Sequence, residues 1–315
     1  MNLLVTGGAG YIGSHFCKAA TKVGHDVVVY DNLSAGHKKF VKFGPFEQGD
    51  IRDTQKVIAA LKEHRVEAIV HFAAKALVGE SMKYPELYYS NNTWGTASVF
   101  EAAKNCDITK VVFSSSCATY GTPEVSQISE TTLQEPINPY GVSKKQSEEI
   151  AKDYQRLCGI RVAMLRYFNV AGQDEDGELY EDHSPETHII PNILLAAKEG
   201  RPFTVNGDDY NTPDGSCIRD YVYVGDLVKA HLKALVQLET QNCLVSNVAL
   251  GKGYSVKEVF EAVKDVLAIQ PKVIVGPRRQ GDPDRLVADA TFFRTWYTEE
   301  MKDLASMIAT LRPRN

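Results

Sequence analysis

Tyr140 and Lys144 are four residues apart at the start of a segment whose sequence is typical of a helix. Pro139 suits the first helical turn, and residues four apart on a helix share one face. A free tyrosine has a pKa of about 10 and is a poor base at neutral pH, but a neighbouring ammonium group favours the phenolate and lowers that pKa. The spacing therefore predicts a proton-transfer pair, with Tyr140 as the base and Lys144 as the group that activates it.

Ser116 is the third residue that could act at the same place. An apolar run at 110–113 predicts a buried strand, and the serines 114–116 follow at its carboxyl end, where ligands bind in open α/β sheets. Its hydroxyl group could share a hydrogen bond with the substrate oxygen from which Tyr140 removes a proton, while a hydride leaves the same carbon. A surface tyrosine beside a solvated lysine is the alternative, because the spacing of Tyr140 and Lys144 also occurs by chance.

A site for a hydride-accepting cofactor is predicted by the first residues of the chain. Gly7, Gly10 and Gly13 follow an apolar run that predicts a strand, and the periodic segment 11–23 predicts a helix directly after them. Glycine permits a tight turn and a close approach of a pyrophosphate group, and the positive end of the helix faces the phosphates. Loops are rich in glycine, so the triplet alone is weak evidence, but its position between strand and helix predicts a dinucleotide site.

Asp31 indicates which dinucleotide this is. It ends a second apolar strand, 27–31, and lies 18 residues after Gly13, where an acidic residue accepts hydrogen bonds from the ribose hydroxyl groups of adenosine. A carboxylate there repels the additional phosphate of NADP, so the sequence favours NAD. The alternative is that Asp31 only caps a turn together with Asn32.

The chain alternates predicted strands and helices as far as Asn169. Six apolar runs predict the strands 3–5, 27–31, 46–51, 68–74, 109–116 and 161–168. Periodic segments predict helices over 11–23, 54–64, 84–105 and 138–157. This order predicts an α/β fold with a Rossmann-type, doubly wound parallel sheet. We expect an NAD-binding domain over 1–169 and a smaller C-terminal α/β substrate-binding lobe over 170–315, with some segments such as 244–248 returning to the sheet.

Composition and charge exclude several classes of function. The 315 residues carry a formal net charge of −5 without a basic cluster, which argues against nucleic-acid binding and a polybasic membrane anchor. The chain has no apolar run of membrane-spanning length, and the first strand begins too early to leave room for a signal peptide. Six scattered cysteines predict a reduced, cytoplasmic protein. The acidic segment 174–176 lacks metal-ligand spacing, so we expect a solvated loop and no bound metal.

Together these motifs make the chain similar to the extended short-chain dehydrogenase/reductase family, and within it to the UDP-hexose 4-epimerases. The resemblance covers nearly the whole chain, and the joint order of its segments is specific. It rests on Gly7-Gly8-Ala9-Gly10-Tyr11-Ile12-Gly13-Ser14-His15, Val29-Tyr30-Asp31-Asn32-Leu33, Gly49-Asp50-Ile51-Arg52, Val78-Gly79-Glu80-Ser81, Phe113-Ser114-Ser115-Ser116, Pro139-Tyr140-Gly141-x-Ser143-Lys144, Leu165-Arg166-Tyr167-Phe168-Asn169, Gly207-Asp208-Asp209-Tyr210-x-Thr212-x-Asp214-Gly215, Ile218-Arg219-Asp220-Tyr221 and Arg278-Arg279-x-Gly281-Asp282.

The resemblance implies NAD-dependent 4-epimerisation of a UDP-hexose, UDP-glucose or UDP-galactose, through a 4-keto intermediate. Tyr140 is the implied base, with Lys144 and Ser116 as its catalytic partners. The implied cofactor contacts are Gly7, Gly10, Tyr11, Ile12, Gly13, Asp31, Asn32, Asp50, Ile51, Phe72, Ala73, Ala74, Asn91, Ser114, Tyr140, Lys144 and Tyr167. The implied UDP-sugar contacts are Ser116, Tyr140, Asn169, His188, Arg219, Arg279 and Asp282. A homodimer formed by the helices 84–105 and 138–157 is also implied.

Three positions depart from the family pattern. Ala76 stands where many members carry a lysine that reaches the nicotinamide ribose, and Lys75 is one position away. Asn206 stands where an aromatic residue commonly lies beside the uracil. Leu286 occupies the position that tends to gate N-acetylated sugars, and it is neither the bulky tyrosine nor the small residue common there.

Several other functions stay open. The substrate could be another UDP-sugar, such as UDP-GlcNAc, UDP-glucuronate or a UDP-pentose. A nucleotide-sugar dehydrogenase or reductase would use the same tyrosine, lysine and serine, whereas a non-catalytic NAD-sensing protein would not need them. A 4,6-dehydratase needs a Thr-Asp-Glu cluster, and the corresponding residues here, Ser116-Cys117-Ala118, include no acid.

Overall fold

The computed structural model describes residues 1–279 and 281–311. Its strands are β1 (Asn2–Thr6), β2 (Asp26–Asp31), β3 (Phe46–Gln48), β4 (Ala68–His71), β5 (Lys110–Ser116), β6 (Arg161–Tyr167), β7 (Asn169–Ala171), β8 (Phe203–Asn206), β9 (Ile218–Tyr223), β10 (Cys243–Val248), β11 (Gly253–Ser255), β12 (Val273–Gly276) and β13 (Arg285–Leu286). Seven of them form a parallel sheet in the order β10-β6-β5-β4-β1-β2-β3. This sheet confirms the predicted Rossmann-type fold.

Helices cover both faces of the sheet. They are α1 (Tyr11–Lys22), α2 (Thr54–Glu63), α3 (Val78–Ser81), α4 (Pro85–Tyr88), α5 (Gly95–Asn105), α6 (Pro139–Cys158), α7 (Ile189–Glu199), α8 (Val224–Gln237), α9 (Val256–Leu267), α10 (Thr291–Trp296) and α11 (Leu304–Ala309). Successive strand residues point to opposite faces, so Leu3 and Val5 pack with α1 and α8, while Leu4 packs with α2 and α5. Burial on both faces explains why the strands read as continuous apolar runs.

The predicted helix 84–105 is helical from Pro85 to Asn105, but it is not a single α-helix. Between α4 and α5 the chain forms a π-helical segment, Tyr89–Trp94. Within this segment Asn92 is buried, and its amide group bonds both the N–H and the carbonyl group of Lys75 and the hydroxyl group of Ser143. Because π segments recur at functional sites, this change of helix type marks the neighbourhood of Lys75 as a place where the fold positions specific residues.

The chain after residue 169 builds a second lobe and also completes the first. Strand β9 pairs with β7, β11 and β13 in a small sheet, β8 pairs with β12, and α7, α9 and α11 share an apolar core with them. In contrast, β10 pairs with β6 in the large sheet, and α8 packs in the same core as α1. None of the helices within the described residues is long and apolar enough to cross a membrane.

Candidate active site

A cavity of about 1070 Å³ lies at the carboxyl edge of the large sheet and continues to the second lobe. The glycine turn after β1 lines one end, Tyr140 and Ser116 line the middle, and Arg219 and Asp282 line the other end. Carboxyl ends of parallel strands are where open α/β sheets bind their ligands. The cavity therefore joins three groups of residues that are far apart in sequence.

The glycine turn is a cradle that side chains would fill. Gly7 has a φ of +72°, and a Cβ atom there would lie 2.6 Å from the backbone nitrogen of Ala73. A Cβ atom on Gly13 would lie 2.2 Å from the carbonyl oxygen of Gly7. Gly10 is the N-cap of α1, and Tyr11 and Ile12 in its first turn line the cavity. At the start of α1 the free backbone N–H groups and the positive end of the helix dipole are accessible to a ligand. This end of the cavity therefore fits a pyrophosphate group.

Asp31 lines the cavity beside this turn. One of its carboxylate oxygens accepts a hydrogen bond from the N–H of Ala9 (3.1 Å) and the other from that of Leu33 (2.8 Å). Burial raises the pKa of this carboxyl group, and the two N–H donors oppose that effect. A carboxylate fixed in this way next to the phosphate cradle can accept hydrogen bonds from ribose hydroxyl groups, as the sequence predicts.

Asp50 lies differently from the other predicted cofactor contacts. Its carboxylate binds the guanidinium group of Arg52 at 2.7 and 2.9 Å, and this pairing holds its pKa well below the usual range. It also accepts a hydrogen bond from Asn32 (3.1 Å). The flanking residues Gly49 and Ile51 line the cavity, together with Asn32. The structure thus places the side chain of Asp50 against Arg52, with the backbone on either side facing the cavity.

Residues that follow β4 form another part of the cavity wall. Phe72, Ala73 and Ala74 line the cavity, and so does Asn91, whose amide group donates to Asn92 (2.9 Å). Ala76, one of the three departures from the family pattern, lies in the same wall. Ala76 and Lys75 also line the cavity, and the ammonium group of Lys75 pairs with the carboxylate of Glu80 at 3.3 Å.

Helix α6 positions the predicted proton-transfer pair. The side chain of Asn138 accepts a hydrogen bond from the N–H of Gly141 (2.9 Å) and caps the helix, with Pro139 in its first turn. Tyr140 and Lys144 are both buried, and both line the cavity. Ser116, at the end of β5, also lines it and hydrogen-bonds the hydroxyl group of Tyr140. The three predicted catalytic residues are therefore brought together.

The pKa values of this pair differ from the prediction. Burial raises the pKa of Tyr140 to about 12, although its hydrogen bond with Ser116 opposes the shift. Burial also lowers the pKa of Lys144 to about 7, opposed by the nearby carboxylate of Glu148. The ammonium group of Lys144 donates to the carbonyl oxygen of Ser114 (2.7 Å). Desolvation therefore dominates at both groups in the chain by itself, and a lowering of the pKa of Tyr140 by Lys144 together with the positive nicotinamide ring stays a prediction.

A buried polar layer behind the cavity was missed by sequence reasoning. Nδ1 of His231 lies 2.9 Å from the carbonyl oxygen of Leu227, so this nitrogen carries the proton and Nε2 accepts from the hydroxyl group of Ser114 (2.9 Å). Ser114 in turn hydrogen-bonds Tyr167, which lines the cavity. Burial lowers the pKa of His231 to about 4, which keeps its ring neutral. Ser114 thus supports Lys144 and Tyr167 from behind.

An ion pair adjoins this layer. The guanidinium group of Arg166 on β6 binds the carboxylate of Glu148 on α6 through two hydrogen bonds, of 2.8 and 2.6 Å, with both side chains almost fully buried. Glu148 also accepts from Ser115 (2.5 Å). Glu148 lies one helical turn after Lys144, so the pair ties the catalytic helix to the strands beside it. The presence of an arginine inside a buried apolar strand was the available signal in the sequence.

The second lobe supplies the predicted substrate contacts. Asn169, His188, Arg219, Arg279 and Asp282 all line the cavity. The buried guanidinium group of Arg219 hydrogen-bonds the carboxylate of Asp282. Such a guanidinium group can bind a pyrophosphate group, and a carboxylate can accept from ribose hydroxyl groups. Leu286 and Asn206, two of the departures from the family pattern, also line the cavity.

The acidic loop exposes Glu175 and Asp176 to solvent, as predicted, but it is also held against α1. The ammonium group of Lys18 lies 2.8 Å from Asp174, 2.7 Å from Asp176 and 2.6 Å from Glu178, and only 7% of its side chain is exposed. Tyr11, also on α1, donates to the carbonyl oxygen of Gly172 (2.5 Å). These contacts fix the start of the loop that leads to His188.

Comparison with known proteins gives consistent matches over nearly the whole chain. The pattern of the NAD dependent epimerase/dehydratase family matches residues 3–249. The chain is 48% identical over 298 residues to the UDP-glucose 4-epimerase of Lactobacillus helveticus, covering 94% of this chain and 90% of that protein. Its fold matches the UDP-glucose 4-epimerase of Brucella ovis in complex with NAD with a TM-score of 0.94, at 42% identity and 99% coverage of both chains. The enzyme of Bifidobacterium longum in complex with NAD+ and UDP gives a TM-score of 0.93 at 32% identity, covering 98% of this chain and 96% of that one.

Proposed function

The chain belongs to the NAD dependent epimerase/dehydratase family, and from this premise we propose that it is an isomerase that interconverts UDP-glucose and UDP-galactose. The observation that carries the proposal is the single cavity in which Tyr140 and Ser116 lie between a dinucleotide cradle and a guanidinium-carboxylate pair. A transient oxidation at C4 of the hexose needs the catalytic residues to lie between the cofactor site and the residues that bind the UDP group. The relatives named above carry the same activity in their names.

The residues of the first lobe fit NAD. The Gly7–Gly13 turn leaves room for the pyrophosphate group, and the carboxylate of Asp31 suits the adenosine ribose. Phe72, Ala73 and Ala74 line the same cavity as the catalytic residues. When bound, NAD supplies a reversible hydride acceptor. The chain itself has to orient the sugar, exclude water and move one proton.

Tyr140 carries that proton. Its hydroxyl group takes the proton from O4 of the hexose and later returns it, while Ser116 holds O4 by a hydrogen bond. Because burial raises the pKa of Tyr140 to about 12 in the chain alone, the phenolate forms only when positive charge is close to it. Lys144 is the ionisable group of the chain that the fold places for this purpose, one helical turn away from Tyr140.

The two ends of the substrate are held differently. Arg219, Arg279, Asp282, Asn169 and His188 offer charged and polar groups to the UDP part, which stays bound while the 4-keto sugar turns about its pyrophosphate link. The hexose end is more apolar, because Leu286, Cys117 and Phe168 line it and pack in one cluster. Firm binding of the nucleotide with looser contacts to the sugar is what epimerisation through two sugar orientations requires.

A homodimer formed by α4, the π segment, α5 and α6 is part of the proposal. Tyr84, Leu87, Trp94 and Leu157 on or next to these helices are large apolar side chains with 38–67% of their surface exposed. Exposed apolar patches of this kind mark protein–protein contacts. Light scattering after size-exclusion chromatography should give a mass twice that of one chain, which is 34.9 kDa. The Trp94→Glu variant should have a measured mass closer to that of the monomer. We also propose a cytoplasmic location, which the free cysteines support.

The function is tested by offering UDP-glucose, UDP-galactose, UDP-GlcNAc, UDP-glucuronate and a UDP-pentose side by side to the purified protein. We expect UDP-glucose and UDP-galactose to be interconverted fastest, without added reductant and without net formation of NADH. Accumulation of NADH in proportion to turnover would instead indicate a dehydrogenase. Binding of NAD without conversion of any of these sugars would indicate a sensing protein, and a faster reaction with another UDP-sugar would reassign the substrate.

A further inference from the structure

Four metal-ligating side chains converge in the loop between β7 and α7. Glu181, His183, Glu186 and His188 each offer one ligand atom, and these atoms all lie within 4.8 Å of one another. Glu181 and Glu186 are 94% and 90% buried, and the two imidazole rings lie side by side with centroids 5.2 Å apart. Two imidazole nitrogens and two carboxylate oxygens form a ligand set that favours zinc over magnesium and calcium.

The polar atoms of these side chains lie close enough together to surround one ion. Nδ1 of His188 lies 2.7 Å from one oxygen of Glu181 and 3.3 Å from one oxygen of Glu186, and Nδ1 of His183 lies 3.2 Å from the same oxygen of Glu181 and 3.9 Å from the other oxygen of Glu186. In a tetrahedral zinc site with bonds of about 2.0–2.1 Å the ligand atoms are about 3.4 Å apart, so the contact between His188 and Glu181 has to open by about 0.7 Å when zinc binds.

Nδ1 of His183 is a second and independent sign of a ligand. This nitrogen is shielded from solvent and, within the described part of the chain, has no hydrogen-bond partner of acceptable geometry, although Glu181 is 3.2 Å away. A buried nitrogen without a hydrogen bond costs free energy, which a metal ion bound to its lone pair would offset. By contrast, the carboxylates of Asp174, Asp176 and Glu178 on the same loop already share the ammonium group of Lys18.

We propose that Glu181, His183, Glu186 and His188 form a zinc site at the rim of the substrate cavity. Glu181, His183 and His188 line that cavity, so zinc has an open path to the site and, once bound, fixes the loop against it. Once the imidazoles have released their protons, the two carboxylates balance the charge of the ion. The proposal does not depend on the epimerase activity, because zinc binding is measured on the protein without substrate.

Isothermal titration of tag-free, chelator-treated protein with zinc chloride tests the site. We expect one zinc ion per chain with a dissociation constant on the order of micromolar or tighter, no detectable heat with magnesium, and weaker binding at low pH, where protons compete for the imidazoles. His183→Gln removes one ligand from a side chain that is 28% exposed and should weaken binding by more than about 100-fold, since even outer-shell partners of metal ligands contribute about 10- to 100-fold.

His64→Gln is the matched control. His64 also pairs with a carboxylate, that of Glu47 at 2.9 Å, but its group of Glu47, Glu63 and His64 offers only three ligand atoms and lies at the far edge of the sheet. This variant should bind zinc like the unaltered protein. Less than about 0.1 zinc ion per chain, unchanged affinity in His183→Gln, or an equal loss of affinity in His64→Gln would each overturn the proposal.

Discussion

The buried pair of Glu148 and Arg166 gives the sharpest prediction for the stability of the catalytic helix. Glu148→Gln keeps the shape of the side chain but removes its charge, so the guanidinium group of Arg166 stays buried without a counter-charge. Its other hydrogen bonds, to the hydroxyl group of Tyr120 (2.9 Å) and the carbonyl oxygen of Glu130 (3.0 Å), supply no negative charge. We therefore expect a large loss of stability from an isosteric substitution.

The magnitude follows from the burial of the two side chains, 0% and 4% exposed. Removing one partner of a buried ion pair costs about 3–5 kcal/mol. Glutamine still offers one oxygen to Arg166, so the expected loss in the free energy of unfolding is at the lower end, about 3 kcal/mol. At about 2–4 °C per kcal/mol, this corresponds to a decrease of about 6–12 °C in Tm.

Urea unfolding and thermal melts at a fixed, saturating NAD concentration measure this loss. Glu149→Gln is the control, because Glu149 lies next in sequence but forms an exposed pair with Lys152, and its substitution should change stability by less than about 0.5 kcal/mol. The double variant Glu148→Leu with Arg166→Met should recover part of the loss, since it leaves no unpaired buried charge. Equal stability of Glu148→Gln and Glu149→Gln would refute the reasoning.

Three other predictions concern the site. Tyr140→Phe should lower kcat by about 10²- to 10⁴-fold and leave the NAD content of the purified protein unchanged, so activity within tenfold of the original would exclude Tyr140 as the base. Lys144 has a pKa of about 7 in the folded chain against an ordinary 10.5, so the unfolded chain binds more protons between these values and stability should rise with pH there. In urea unfolding, the stability of Lys144→Met should rise less with pH than that of the unaltered protein. An equal rise in both proteins would contradict a lowered pKa of Lys144. Lys18→Met should raise the KM for the UDP-sugar more than it changes kcat, because three carboxylates then repel one another and free the loop that carries His188, and added salt should partly reverse the effect. An unchanged KM would contradict this role of Lys18.

Local patterns were enough to predict the sheet and the cofactor end of the site. Apolar runs bounded by turn residues define the strands, and the Gly7–Gly13 turn needs no information from distant residues. The same holds for Tyr140 and Lys144, because four residues on a helix fix their relative position. Short-range geometry of this kind predicts where these residues lie relative to one another, and the structure places Gly7, Gly13, Tyr140 and Lys144 along one cavity.

Properties that depend on packing were not predictable. The π segment at Tyr89–Trp94 depends on Asn92 reaching Lys75 across a turn, and no periodicity signals it. The raised pKa of Tyr140 depends on how completely the folded chain excludes water, which spacing does not report. Likewise Lys18 looks like a surface lysine until the acidic loop, more than 150 residues later, is folded over it.

The pairing of β10 with β6 has a consequence for how the protein is made. The large sheet gains its last strand only when residue 248 is available, and α8, which covers one of its faces, comes shortly before. Until the ribosome has released that segment, Leu165, Ala163 and Val112 have no cover on the α8 side. We therefore expect a nascent chain of 169 residues to be prone to aggregation, and we expect residues 1–169 alone not to fold as an independent module.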